Sequence, residues 1–212
     1  MFISLEGIEG CGKTTQIRQL SAYFEERGHP YIVTREPGGT AIGEKIRSIL
    51  LDPASKDMVP TAELLLYMAD RAQHINELIR PCLDQGKYVL CDRYFDATVV
   101  YQGFARGLDI RFILDLHRII FQDLKPDLTL LLDLPPRIGL ERAWHELDSG
   151  GRSGTESRFE EETINFHEKV RQGYLELARL EPKRFKVIDA SGKIDEVQSD
   201  IRNVLSAFIN LS

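Results

Sequence analysis

Phe2–Glu6 reads FISLE and Gly7–Thr14 reads GIEGCGKT, an apolar run closing into an uninterrupted G-x-x-x-x-G-K-[ST] pattern. The run is what a buried parallel strand requires, and a helical period follows it, with Ile17, Leu20 and Phe24 at i, i+3 and i+7. A strand, a glycine-rich turn and a helix in that order make an anion cradle. Glycines let successive N–H groups turn inward where side chains would collide, and the helix start adds its positive end. The pattern assigns Gly7, Ile8, Glu9, Gly10, Cys11, Gly12, Lys13, Thr14 and Thr15 to nucleotide phosphate binding. Lys13 reaches the β- and γ-phosphates, and the Thr14 hydroxyl is placed to ligate Mg²⁺. Cys11 reads as a small residue tolerated between glycines.

Working outward, YIVTRE, KYVLCDR, LTLLLDL and FKVIDA are four further short apolar runs. Helical periods separate them. Leu64, Met68, Ala72, Ile75, Ile79 and Cys82 form one stripe; Ile194, Val197, Ile201, Leu205 and Phe208 form another. Five strands alternating with helices predict a five-stranded, doubly wound parallel sheet. Two segments break the rhythm: the Gly/Pro-rich 35–43, REPGGTAIG, and the polar 145–158, HELDSGGRSGTESR, which reads as a lid.

Composition narrows the class. Across 212 residues, 42% are hydrophobic and 28% charged, with no run near the ~20 apolar residues of a membrane span. The opening MFISLEG carries no secretory pattern, so a cytoplasmic protein is expected. Three cysteines without paired spacing suggest neither disulfides nor zinc, and a net charge of −6 argues against broad nucleic-acid coating. Arginines, however, recur at the carboxyl edge expected of the sheet: Arg35 ends the second strand, Arg93 the third, and Arg71 lies on the intervening helix. Tyr67, Arg71 and His74 share one helical face, and Arg93, Ala97 and Tyr101 share another.

In this order and at this spacing, LEGIEGCGKTTQ, TREPGGT, LLLYMADRAQH, CDRYFDATVVYQG, LDLPPRIGLERA and SRFEEETINFHEKVRQGYLELA resemble the thymidylate kinases over nearly the whole chain. The resemblance implies a P-loop NTPase fold in a single domain, 1–212. It also implies phosphoryl transfer from MgATP to dTMP and a homodimer, with no nucleic-acid or membrane partner. Carried over by motif, Arg93 binds the acceptor phosphate. Arg71 sits near the base, and Tyr67 offers an aromatic face where Phe is usual. Thr98, Tyr101 and Gln102 surround base and deoxyribose, and Glu9 lies near the sugar and the metal. Ala97 stands where a hydroxylated residue is common. Asp92 orients Arg93 or holds a metal water. Because no basic residue precedes Lys13 in the loop, the lid is expected to supply the catalytic arginine, Arg158 by the better motif match or Arg152, with Arg142 a further candidate. Asp133 reads either as a group behind the metal or as a cap for the helix starting near Pro135. Two rival readings remain at this stage: a kinase for another pyrimidine monophosphate, and a P-loop ATPase or binding module without a phosphorylated product.

Overall fold

The computed structural model describes residues 1–149 and 156–209. Its frame is a parallel five-stranded sheet: β1 (Phe2–Glu6), β2 (Tyr31–Arg35), β3 (Tyr88–Asp92), β4 (Leu128–Asp133) and β5 (Phe185–Asp189), in the order β2-β3-β1-β4-β5. β1 is the centre. Ile3 lies opposite Leu90 on one side and Leu128 on the other, so every β1 side chain is buried. The edge strands β2 and β5 expose Val33 and Val187, as strands flanked on one side do. The five apolar runs thus become the five expected strands.

Helix α1 (Lys13–Glu26) buries Ile17, Leu20 and Phe24, the anticipated stripe. α2 (Ala41–Leu51) begins at Thr40, whose hydroxyl accepts from the Gly43 N–H. The long stripe is not one regular helix. α3 (Pro60–His74) passes into a π-turn at Ile75–Ile79 and then into α4 (Arg80–Asp84), with Pro81 in the first turn of α4. A proline there lacks the N–H that a regular register would use, and the wider turn accommodates it. Likewise α5 (Phe95–Thr98) continues as a π-turn over Val99–Ala105. The face expected for Arg93, Ala97 and Tyr101 therefore departs from 3.6 periodicity: Arg93 precedes the helix, and the wide turn bears both Tyr101 and Gln102. α6 (Ile110–Phe121), α7 (Pro136–Asp148), α8 (Ile164–Leu180) and α9 (Ile194–Ile209) complete the layers. The lid expected over 145–158 overlaps the last turn of α7, and Arg152 lies outside the described residues.

Candidate active site

The direction of winding reverses at β1: the chain leaves it toward β2 on one side, returns to β3, and then crosses to β4 on the other side. That geometry opens a crevice beyond the carboxyl ends of the strands. A cavity of about 580 Å³ lies there, within the range of small-ligand sites. One wall is the loop after β1. Gly10 has φ 67°, and a Cβ on it would sit 1.9 Å from the Gly139 carbonyl oxygen in the first turns of α7. Only glycine permits that approach. Gly12, at φ 95°, turns the chain into α1. The Lys13 ammonium donates to the Ile8 carbonyl at 3.0 Å and the Gly7 carbonyl at 3.3 Å, and it lies 3.5 Å from Cys11 Sγ. Thr14 and Thr15 also face the cavity, whereas Gly7, Ile8 and Cys11 form the floor behind it.

The opposite wall carries the arginines. Arg93 has φ 63°, an uncommon conformation for a side chain with a Cβ, at the point where β3 gives way to α5. Its guanidinium donates to the Gly7 carbonyl and, at 2.8 Å, to Glu9 Oε1. The Tyr101 hydroxyl donates to that same oxygen at 2.6 Å. Burial alone would raise the Glu9 pKa, but Arg93, His167 and Lys13 outweigh it and hold the carboxyl well below its usual range. Glu9 is therefore an anion fixed among cations. It orders Arg93 and Tyr101 around one oxygen.

Arg71 is buried, donating through Nε to Glu36 Oε2 at 2.8 Å and through Nη2 to the Thr98 hydroxyl at 2.8 Å. Asp70 and Glu77, close to Arg71 in sequence, take other hydrogen-bond partners: the Asp70 carboxylate accepts from Gly38 N–H, and Glu77 accepts from Gln73. Glu36 also lies 3.1 Å from His74 Nδ1, and the Thr34 hydroxyl is 2.7 Å from His74 Nε2. The carboxylate next to Arg35 in TREPGGT thus secures Arg71, a role that its motif hints at but its spacing does not reveal. Arg35, Tyr67, Asp92, Ala97, Thr98 and Gln102 join Arg71 and Arg93 on the cavity. Arg47 and Phe159 line it too, unanticipated, since neither belongs to a strand end.

Three of the expected residues are not among those lining the cavity. Arg158 does not face the cavity: its guanidinium pairs with Glu63 and donates to the Leu50 carbonyl at 2.8 Å, leaving it 4% exposed. A buried carboxylate on α3 claims it, since an unpaired charge there would be costly. Arg142 donates to the Ala190 carbonyl at 3.2 Å. Asp133 neither caps α7, whose start has no side-chain cap, nor stands alone; it takes both Arg171 donors, at 2.7 and 2.9 Å.

A phosphate cradle and a separate arginine-lined pocket open onto one cavity. Fold and site together therefore define a P-loop phosphotransferase that seats two anionic substrates. Comparison with known proteins refines the class. The family model for thymidylate kinase matches residues 5–201. A thymidylate kinase from Desulfosudis oleivorans is 58% identical over 93% of this chain and 92% of its own length. One from Syntrophotalea carbinolica is 55% identical over 99% and 97%. The crystal structure of the Ehrlichia chaffeensis thymidylate kinase superposes with a TM-score of 0.77 at 32% identity, covering 97% of this chain and 98% of that one. The chain belongs to the thymidylate kinase family.

Proposed function

We propose that this cavity transfers the γ-phosphoryl group of MgATP to dTMP, giving ADP and dTDP for dTTP synthesis. The observation that carries the assignment of sides is the single Glu9 oxygen shared by Arg93 and Tyr101, next to the Lys13 loop. It supports a reading in which the acceptor-binding groups lie within one side chain of the donor cradle. Lys13 and the loop N–H groups hold the donor phosphates, while Arg93 and Arg35 receive the acceptor phosphate. The acceptor is already anionic and needs no strong base; its problem is repulsion from the donor, which fixed cations relieve. Arg71, held by Glu36 and Thr98, meets the base edge, and Tyr67 offers its ring face. Tyr101 stands where a ribose 2′-hydroxyl would crowd it.

The Thr14 hydroxyl and Asp92 carboxylate are oxygen donors on the cavity wall, suited to a hard cation that takes few protein ligands and several phosphate oxygens. They would hold Mg²⁺, which when bound neutralises charge on the donor phosphates. With Arg158 committed to Glu63, the lid arginine for the moving phosphoryl group is Arg152.

The chain is read as one kinase domain with a lid near 145–158, cytoplasmic and homodimeric. No helix among the described residues is long and apolar enough to cross a membrane. Ile119 and Ile120 on α6, with Leu65 on α3, are exposed apolar side chains that a second copy would cover. Steady-state rates with dTMP, dUMP, UMP and dCMP at fixed MgATP test the substrate: kcat/KM is expected to be highest for dTMP, and a higher value for UMP or dCMP would contradict the reading.

A further inference from the structure

Glu9 has a second oxygen. Oε1 serves Arg93 and Tyr101, but Oε2 is buried without an aligned hydrogen bond. Its nearest cation-forming neighbour is His167 Nδ1 at 3.1 Å. The distance suits a hydrogen bond, although the contact is bent from its ideal line. His167 is fully buried, and its Nε2 finds no hydrogen-bond partner among the described residues. What the imidazole faces is the carboxylate that orders the acceptor side of the site.

His167 lies on α8, one residue after Phe166, whose ring packs at 6.0 Å from Tyr101. Seven residues further along the same buried face, the Tyr174 hydroxyl donates to Glu6 Oε2 at 2.7 Å, at the end of β1. α8 therefore meets the β1 strand end and its loop at two carboxylates, Glu6 and Glu9. Tyr174 donates to the first, and His167 Nδ1 lies 3.1 Å from the second.

We infer that His167 is a positioning residue for the acceptor side of the site. By holding Glu9 Oε2 through Nδ1, it keeps Oε1 aimed at Arg93 and Tyr101, so that dTMP meets a preordered phosphate and sugar pocket. This rests on the phosphoryl-transfer reading above. His167 touches no substrate and acts only through Glu9. Truncating it frees the carboxylate to rotate about its last torsion, and Arg93 and Tyr101 lose a common anchor.

The test is dTMP affinity by titration calorimetry, joined to steady-state rates, for the wild-type chain, His167→Phe, His167→Asn, His167→Gln, Glu9→Ala and Glu9→Ala/His167→Phe. His167→Phe keeps the ring but removes the donor. It is expected to weaken dTMP binding about tenfold, the size of one hydrogen bond to a charged group, with KM for dTMP rising alike, kcat falling less and KM for ATP unmoved. Asparagine puts an amide where Nδ1 was and glutamine puts it where Nε2 was. His167→Asn is therefore expected to recover affinity to within about threefold, and His167→Gln is not. In the Glu9→Ala background, His167→Phe adds under about twofold, because the partner it acts through is gone. A full additional tenfold loss there, or wild-type affinity in His167→Phe, overturns the inference. Should the Phe variant not fold, equal affinities of the Asn and Gln variants overturn it instead. Wild-type protein that binds no dTMP refutes the functional reading itself, which is a separate result.

Discussion

Asp70 and Arg71 are adjacent in sequence yet live in different electrostatic worlds. Arg71 is neutralised by Glu36. Asp70 is buried facing the same Glu36, and burial together with that like charge pushes its pKa up to about 7. An acid with a folded pKa above its unfolded value of 3.8 binds a proton more readily when folded, so its cost is absent below pH 3.8 and complete above pH 7. Asp70→Asn keeps an oxygen to accept from Gly38 N–H and removes the charge. Unfolding by urea is expected to show this variant more stable than wild type by roughly 2–4 kcal/mol at pH 8, the gap closing toward pH 4. A gap independent of pH would mean that Asp70 is ionised throughout. At this scale the sequence was uneven. Glycine-loop residues declare themselves because their spacing is local. Glu36 and His167 do not, because their partners lie 35 and 158 residues away and nothing in a linear pattern pairs them.

At the level of elements, the five strands and the α1 stripe were legible because central parallel strands are apolar on both faces and surface helices on one. The π-turn at Val99–Ala105 was not, since one added residue per turn leaves no compositional mark, and at Ile75–Ile79 only Pro81 interrupts an otherwise continuous stripe. The segment expected as a lid, 145–158, ends at Arg158, which donates to Glu63 on α3 together with Gln102 at 2.8 Å and Arg106 at 3.2 Å. One buried carboxylate thus ties α3, the second π-turn and the segment leading into α8. Arg158→Ala leaves Glu63 with one charged partner fewer. The expected cost is about 3–5 kcal/mol of stability, read as a lowered melting temperature, because a buried pair has been broken. Arg152→Ala is expected to leave melting unchanged and lower kcat by about 10³-fold. If instead Arg158→Ala melts like wild type while kcat collapses, the assignment of the two arginines is reversed.

For the molecule as a whole, two ledgers of surface meet. Lys13, Arg35, Arg71 and Arg93 face the cavity, while α6 turns Phe112, Ile119 and Ile120 outward. The proposed dimer would cover them with a second copy, and a charge placed among them would prevent that. Ile119→Asp is expected to shift sedimentation from dimer to monomer, and a variant that sediments as wild type would place the interface elsewhere. The cavity makes the stronger demand: its two anion sites have no use apart from each other. The direct test is ADP released from MgATP by the purified chain, with and without dTMP, and the dTDP formed alongside. ADP and dTDP are expected to appear in equal amounts, and ADP to be nearly absent without dTMP. ADP release at the same rate whether or not dTMP is present, with no dTDP, would contradict the account.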